Sequence, residues 1–224
     1  MNAAKNICII PARGGSKRII NKNSVVFGGM PLLEHSIAYA QANPDIIGTV
    51  LVSTDDSNLA KIAEKAGAQV LMRPAALAAD TSPTIDVLMH ALETLKESYE
   101  HVILLQPTNP LRPKSLLKKA FVYYLDQKAD SLMTVTRNHE KLGKIVDHKF
   151  VPFNYTMGQR SQDLEPLYSE NGLLYISKAA LIQQGKILGE ANVPFQVDHP
   201  YASVDIDTIE DLHYANYILE TTPK

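Results

Sequence analysis

The sequence has a single cysteine, Cys8, so no disulfide can form within the chain. Cys8 lies in the apolar run 7–10, which predicts a buried core position rather than a reactive thiol. No apolar run approaches the roughly 18 residues of a membrane span, and no signal-peptide core precedes Pro11. These absences predict a cytoplasmic protein that does not cross a membrane.

Acidic residues are missing from the first 33 positions, where the chain carries five basic side chains. They are Lys5, Arg13, Lys17, Arg18 and Lys22. The whole chain is nearly balanced, with 22 Lys and Arg against 24 Asp and Glu, so no nucleic-acid partner is expected. A cationic segment at the start of a mildly acidic chain instead predicts a small anionic ligand.

Two common classes of site are also excluded by missing motifs. None of the seven histidines has H-x-x-x-H or H-E-x-x-H spacing, so a zinc site is not expected. The chain has no G-x-S-x-G motif, which excludes the nucleophile elbow of the α/β-hydrolases. The chemistry must therefore come from other polar groups.

Short apolar runs alternate with helical patterns over most of the chain. The predicted strands cover 6–12, 49–53, 70–71, 101–105, 131–136, 171–177 and 193–197. The predicted helices cover 32–42, 55–67, 84–97, 114–126 and 208–219. Alternation of this kind predicts an α/β fold with a mostly parallel sheet between two helical layers, the three-layer Rossmann-like architecture.

The pattern changes near residue 138, where a hairpin turning at Asp147-His148 is followed by a polar stretch. We therefore predict one α/β domain, formed by 1–137 and 169–224, with 138–168 inserted in it. The insertion is interpreted as a dimerisation arm. The alternative is a long surface loop without its own function, which is an uncommon feature of compact domains.

The most informative motif is the segment 11–23, Pro-Ala-Arg-Gly-Gly-Ser-Lys-Arg-Ile-Ile-Asn-Lys-Asn, directly after the first predicted strand. Gly14 and Gly15 allow a tight turn that presents backbone amides to an anion. The basic side chains can neutralise a triphosphate, and Ser16 can donate a hydrogen bond. The segment matches neither G-x-G-x-x-G nor the G-K-[ST] of P-loops. The alternative is a solvated basic turn.

Two further motifs follow predicted strands later in the chain. Gln106 ends a buried strand and begins Gln-Pro-Thr-Asn-Pro-Leu-Arg, in which Arg112 is a candidate partner for a carboxylate or phosphate. The alternative for Arg112 is an ion pair at a helix start. Asp205 and Asp207 lie on one face of an extended segment, about 7 Å apart. Such a pair suits Mg²⁺, although Asp207 or Thr208 could instead cap the last helix.

The ordered motifs resemble those of the nonulosonate cytidylyltransferases, whose best-known members are the CMP-sialic acid synthetases. The first motif keeps Arg13, Ser16, Lys17, Lys22 and Asn23 of the family pattern, and it departs from that pattern at Arg18 and Ile20. The Gln106 motif matches except for Asn109. Arg18 is more familiar from the pseudaminic acid branch, whereas the segment 170–172, Glu-Asn-Gly, resembles the sialic acid branch.

The resemblance implies a nucleotidyltransferase fold and a complete set of site residues. The implied catalytic residues are Arg13, Lys22 and Asp207. Nucleotide binding is implied for Ala12, Arg13, Gly14, Ser16, Lys17, Lys22, Asn23, Arg73 and Ser82. Sugar binding is implied for Gln106, Arg160 and Tyr175, and metal binding for Asp205 and Asp207. For Ser82, an alternative role is to cap the following helix.

The resemblance also implies the reaction and the partners. CTP and an acidic nine-carbon sugar such as N-acetylneuraminate form a CMP-sugar with release of pyrophosphate. Mg²⁺, for which Mn²⁺ can substitute, assists, and the protein is a homodimer. The alternatives are pseudaminic, legionaminic or KDN specificity, a Kdo or sugar-phosphate nucleotidyltransferase, and a non-catalytic regulator that binds CTP or sugar.

Overall fold

The computed structural model describes residues 2–223. Its strands are β1 (Asn6–Pro11), β2 (Val26–Phe27), β3 (Met30–Pro31), β4 (Thr49–Thr54), β5 (Gln69–Met72), β6 (His101–Leu104), β7 (Ser131–Asn138), β8 (Gly143–Val146), β9 (Lys149–Pro152), β10 (Leu167–Lys178) and β11 (Asn192–Gln196). Its α-helices are α1 (Leu32–Gln41), α2 (Ser57–Lys65), α3 (Thr84–Leu95), α4 (Leu116–Asp126), α5 (Ala179–Gln183) and α6 (Ile209–Thr221). The predicted elements are confirmed to within a few residues.

Seven strands form one sheet in the order β11-β7-β10-β6-β1-β4-β5. β1 pairs in parallel with β4 and with β6, so that Ile9 lies between Leu51 and Leu104. β5 extends the parallel region beyond β4, and β11 is parallel to β7. β10 runs antiparallel to both of its neighbours. The predicted mostly parallel sheet is therefore confirmed.

Alternate side chains of β1 point to opposite faces of the sheet and begin two buried cores. Ile10 packs in a cluster with residues of α1 and α4, whereas Ile9 packs with Leu88 of α3 and Ile182 of α5. This arrangement gives the predicted three layers. Cys8 shares the face of Ile10 and is fully buried, and burial raises the pKa of its thiol to about 12. Its predicted core position is confirmed.

A third, smaller cluster forms where α6 packs beside the segment that follows β1. Ile19 of that segment and Ile206 are both buried there, together with Ala215 and Ile218 of α6. Because these apolar side chains pack together, the polar residues next to them, which come from two segments distant in the chain, lie close to one another. The packing of α6 therefore positions the candidate site.

The inserted segment leaves the main sheet and forms a separate hairpin of β8 and β9. Its turn is at the predicted Asp147 and His148, which both adopt left-handed backbone angles, with φ of 49° and 60°. Two such residues are typical of a type I′ turn. Large apolar side chains on the hairpin face solvent, including Ile145 at 81% exposure and Phe150 at 55%.

Within residues 2–223, no helix is both long enough and apolar enough to cross a membrane. The longest run of helical residues is α6, which carries Glu210 and Asp211 in its first turn.

Candidate active site

A cavity of about 520 Å³ opens at the carboxyl ends of the parallel strands β1, β5 and β6. Ligands of open parallel sheets bind at this edge. Nine of the predicted site residues line the cavity: Arg13, Ser16, Lys17, Lys22, Asn23, Arg73, Ser82, Gln106 and Asp207. The structure thus brings together residues from the beginning, the middle and the end of the chain.

The segment after β1, residues 13–22, forms a cationic turn along one wall of the cavity. Asn23, which directly follows this turn, stabilises it, because its side-chain amide donates to the carbonyl oxygen of Arg13 over 2.9 Å. Arg13 and Lys17 both contact the carboxylate of Asp80, which lies between β5 and α3. The turn therefore lines a cavity and has an acidic partner, although the side chains of Lys17 and Arg18 are 80% and 70% exposed, so the alternative of a solvated basic turn holds for part of it.

Lys22 connects the cationic turn to the late acidic segment. Its Nζ donates to Asp207 Oδ1 over 2.7 Å and to the carbonyl oxygen of Ile206 over 3.0 Å, although these residues are about 185 positions apart in the chain. Arg18 donates to the second oxygen of Asp207 over 3.0 Å. Lys22 is largely buried, with 14% of its side chain exposed, whereas Arg18 extends into solvent. Both ends of the predicted site therefore meet in the cavity.

Asp205 and Asp207 project away from the core, because the intervening Ile206 and the preceding Val204 are buried. Ile206 N donates to the carbonyl oxygen of Thr108 over 2.8 Å, which ties this segment to the loop after β6. The pKa of Asp205 is raised, mainly by partial burial and further by the negative charge of Asp207. The charge of Asp207 thus acts on Asp205, as expected for two carboxylates on one face of an extended segment.

The last helix is capped by Thr208 and not by Asp207, so the alternative of a helix cap is confirmed for Thr208 and wrong for Asp207. Thr208 is the N-cap residue of α6, and it forms a reciprocal capping box with Asp211. Asp207 is therefore free to point into the cavity. Ser82 does not cap α3 either, since its hydroxyl donates to the carbonyl oxygen of Ala76 over 2.8 Å and Pro83 is at the cap position.

Arg73 lines the cavity, and its guanidinium has few protein partners. Only 7% of the residue is exposed, and burial lowers the pKa of its guanidinium. Its sole ion pair among the described residues is with Asp55 at 3.8 Å, and its Nε has no hydrogen-bond partner. A buried, unpaired donor is costly unless a ligand or water satisfies it. Arg73 is consequently a strong candidate to bind an oxygen of the ligand.

Arg112 has a different role from the predicted one. It is fully buried and contacts no carboxylate, and burial lowers the pKa of its guanidinium to about 10. It donates to the carbonyl oxygens of Leu173 and Gln106 and to the hydroxyl of Ser36, over 2.6, 2.8 and 3.0 Å. Both the ligand role and the helix-start ion pair are wrong. Arg112 instead fixes the backbone that presents Gln106.

A second cavity, of about 460 Å³, adjoins the first through Thr84, which lines both. Tyr175 lies in this second cavity and donates its hydroxyl to Glu170. Burial, followed by this hydrogen bond, raises the pKa of Tyr175. The rest of the lining is mainly apolar and includes Ile85 and Leu188. The predicted sugar-binding Tyr175 is therefore beside the first cavity rather than in it.

Asn109, which departs from the family motif, connects three parts of the site. Its amide nitrogen donates to the carbonyl oxygens of Asn171 and Val204 over 3.2 and 3.0 Å. Gly172 packs against it with a φ of 72°, and a Cβ there would be 2.7 Å from Asn109 Oδ1. Only glycine fits this combination of left-handed backbone and close approach. The irregular part of β10 that leads to Tyr175 is thus held beside the acidic segment.

Four predicted residues do not line the first cavity or the second. Ala12 is buried in the core, and the Gly14 amide donates to Asp55 over 3.1 Å rather than facing an anion. Asp205 lies outside the cavity lining, next to Asp207. Arg160 is on the inserted segment and pairs with Asp163 over 2.8 Å.

Sequence reasoning missed Asp80, which lines the first cavity. One signal could have indicated it. Asp80 is an acidic residue beside hydroxyl residues, it lies between a strand and a helix, and its segment also carries Ser82, to which the family resemblance already assigns a binding role.

A cationic cavity at the carboxyl edge of a parallel sheet, with an acidic pair beside it, defines a nucleotide-binding α/β protein whose ligand carries phosphate. The comparisons with known proteins narrow this class.

Residues 7–222 match the cytidylyltransferase family. The chain is 33% identical to the pseudaminic acid cytidylyltransferase of Campylobacter jejuni, over 96% of each chain. It is 32% identical to the N-acylneuraminate cytidylyltransferase of Streptococcus agalactiae, and that match covers 92% of this chain but 51% of the longer protein. The solved structure of a CMP:2-keto-3-deoxy-manno-octonic acid synthetase complexed with CTP superposes with a TM-score of 0.72. That match covers 96% of this chain and 98% of the other, at 17% identity.

The chain belongs to the cytidylyltransferase family, as the resemblance of its motifs predicted. The structural match is too distant in sequence to show more than the fold, and it agrees with the predicted nucleotidyltransferase architecture.

Proposed function

We propose that this protein transfers the CMP group of CTP to the anomeric hydroxyl of a nonulosonic acid and releases pyrophosphate. The contact of Lys22 with Asp207 is the observation that carries the proposal, because it brings the cationic turn and one member of the acidic pair together in one cavity. The names of the relatives support the choice of cytidine nucleotide and acidic sugar.

The nucleotide is expected to occupy the first cavity. Arg13, Lys17 and Lys22 supply positive charge for the triphosphate, and Arg73 supplies buried donors. Ser16 and Ser82 add hydroxyl groups along the same lining. Asn23 acts indirectly, since its side chain holds the carbonyl oxygen of Arg13 and thereby shapes the cationic turn.

The acidic pair fits a divalent cation of the magnesium type. Asp205 and Asp207 offer hard carboxylate oxygens, and no group of three or more acidic, histidine or cysteine side chains in residues 2–223 is arranged to enclose a metal. Two protein ligands leave the other positions for phosphate oxygens and water, as Mg²⁺ prefers. When bound, Mg²⁺ or Mn²⁺ would neutralise phosphate charge during displacement. The exposed Arg18 can leave Asp207 at little cost.

The acceptor is expected to lie between the two cavities. Gln106 lines the first cavity, and its carbonyl oxygen is fixed by Arg112, so its side-chain amide is positioned for a carboxylate or hydroxyl. Tyr175 and the apolar residues of the second cavity would contact the far end of the sugar. An acylamido group carries a methyl that an apolar lining can cover, which favours acids with two acylamido groups over those with more hydroxyls. Pseudaminic or legionaminic acid is therefore the preferred acceptor over N-acetylneuraminate.

The proposed reaction is a displacement at the α-phosphorus. A bond forms between the anomeric oxygen and the α-phosphorus, the bond to the β-phosphate oxygen breaks, and the anomeric proton is released to solvent. Catalysis of this type depends on alignment and charge neutralisation. Arg13 and Lys22 are placed to stabilise the negative charge that develops on pyrophosphate. Asp207 orients Lys22 through their hydrogen bond.

The inserted segment 138–168 is proposed to be a dimerisation arm. Its hairpin exposes Ile145, Phe150 and Phe153, apolar side chains that a second copy of the chain would cover. Arg160 extends from this segment and has 71% of its side chain exposed. In a dimer of this kind, Arg160 would approach the acceptor site of the partner.

The test is release of pyrophosphate by the purified protein from CTP, ATP, GTP or UTP, with Mg²⁺ and a panel of acids. The panel comprises pseudaminic, legionaminic, N-acetylneuraminic, deaminated neuraminic and Kdo acids. We expect release only with CTP and a nonulosonic acid, with the highest kcat/KM for an acid that carries two acylamido groups. Binding of CTP without turnover of any acid would favour a regulator. Turnover of Kdo alone would favour the other nucleotidyltransferase reaction.

A further inference from the structure

Asp80 forms the most direct contacts with the cationic turn. One of its carboxylate oxygens contacts Arg13 Nη1, and the other contacts Lys17 Nζ. No acidic residue precedes Glu34 in the chain, so this partner has to come from another segment. The loop between β5 and α3 supplies it.

Every cation of the cationic turn consequently has an acidic partner within the chain. Arg13 and Lys17 pair with Asp80, whereas Arg18 and Lys22 pair with Asp207. Hydrogen bonds from Lys17 and then Arg13 lower the pKa of Asp80, so its carboxylate is charged near neutral pH. An added anion meets neutralised cations rather than free ones.

A phosphate group needs the same donors as the Asp80 carboxylate, since both anions accept charge-assisted hydrogen bonds from guanidinium and ammonium groups. If both anions stayed in place, their like charges would repel. The loop of Asp80 can yield without disturbing the sheet, because its hydrogen bond from Ser82 to Ala76 is internal and Asp80 is partly exposed.

We propose that Asp80 is an internal counter-ion that competes with ligand phosphate for Arg13 and Lys17 and so weakens pyrophosphate binding. This inference rests on the proposed function, in which these two cations bind phosphate. Asp80 is a positioning residue, because it acts through the two cations rather than on the reacting atoms. Its expected benefit is faster release of the product, and its cost is weaker capture of the substrate.

The opposite hypothesis is that Asp80 merely holds Arg13 and Lys17 in a binding geometry. The two hypotheses predict opposite signs for Asp80→Asn, which keeps the shape of the side chain and removes its charge. Competition predicts that the variant binds inorganic pyrophosphate about 3-fold to 30-fold more tightly, the range expected for losing two exposed ion pairs. A holding role predicts weaker binding.

The experiment is isothermal titration calorimetry of inorganic pyrophosphate into the wild type and three variants, with the inhibition constant of pyrophosphate measured in parallel. Asp80→Asn tests the charge, and Asp80→Glu restores it and should bind as the wild type does. Asp86→Asn is the matched control, because it removes an exposed charge six positions later, outside the cavity lining. It should change the affinity less than twofold. Asp80→Ser replaces Asp80→Asn if that variant does not fold.

The outcomes separate the two proposals. If the wild type binds no pyrophosphate, the proposed function is contradicted. If the wild type binds it and the neutral Asp80 variants bind equally or more weakly, the counter-ion role alone is overturned. Tighter binding by the neutral Asp80 variant, but not by Asp86→Asn, supports the counter-ion role.

Discussion

Replacement of Asp207 by asparagine should separate activity from stability. The change removes a charge that faces the cavity, where one oxygen of Asp207 accepts from Lys22 and the other from Arg18. Asparagine keeps one acceptor oxygen for Lys22 but is a poor ligand for a divalent cation. We therefore expect the fold to survive and the turnover to fail.

The stability cost can be estimated from the exposure of the two partners. Arg18 is 70% exposed, so its pair contributes almost nothing, whereas Lys22 is 14% exposed and its pair contributes more. Together they should account for about 0.5–2 kcal/mol of the free energy of unfolding. For a chain of this size, that loss lowers the melting temperature by about 1–8 °C.

The cost to turnover should be much larger. A divalent cation at a phosphoryl-transfer site contributes several kcal/mol of transition-state stabilisation. Loss of about 4 kcal/mol lowers kcat/KM by about 10³-fold, because 1.36 kcal/mol corresponds to a factor of ten. The assay is pyrophosphate release across a magnesium titration, with thermal unfolding measured on the same sample.

Glu210→Gln is the matched control for this experiment. It removes one negative charge from the first turn of α6, three positions from Asp207 and outside the cavity lining. Its turnover should stay within about twofold of the wild type, since an exposed charge outside the cavity acts on the site through high-dielectric solvent. If Asp207→Asn retained kcat/KM within tenfold of the wild type, the assignment of Asp207 to the metal would be refuted.

Two further predictions concern the arm and the core. The double variant Ile145→Lys, Phe150→Lys should raise the dimer dissociation constant at least about tenfold in analytical ultracentrifugation. Its control is Tyr217→Lys, which changes an exposed side chain on the surface of α6. An unchanged dissociation constant in the double variant would contradict the arm proposal. Burial lowers the pKa of His101 below its ordinary 6.5, so the unfolded chain takes up a proton before the folded one as the pH falls. Stability should therefore decrease from about pH 7 to about pH 5, and His101→Gln should reduce that slope; an equal slope would show that other groups cause it.

Much of the fold was predictable because its signals are local. The apolar run of β1 predicts a buried parallel strand whatever its neighbours are. The hairpin turn at Asp147 and His148 and the capping box at Thr208 depend on residues only a few positions apart. The helices, strands and turns that were predicted from such local patterns therefore agree with the structure to within a few residues.

The parts of the site that escaped prediction depend on distant contacts. Nothing in the sequence indicates that Asp80 would pair with Arg13, 67 positions away, or that Asp55 would accept the Gly14 amide. The prediction for Arg112 was wrong for the same reason. Its partners are backbone carbonyls, and such acceptors leave no compositional signal in the sequence. The role of each of these side chains depends on the groups that lie near it in the folded protein, and the residue type alone does not reveal those groups.

Two buried arginines show why burial alone does not identify a binding residue. Arg112 and Arg73 are both largely removed from solvent. Each of the three guanidinium nitrogens of Arg112 donates to a protein acceptor, and the side chain is buried away from both cavities, so it serves the loop that carries Gln106. Arg73 instead lines the cavity, has one distant ion pair, and has a buried Nε without a partner among the described residues. Because a guanidinium with so few protein partners lowers stability, its place in the cavity lining is best explained by a ligand oxygen that pairs with its charge.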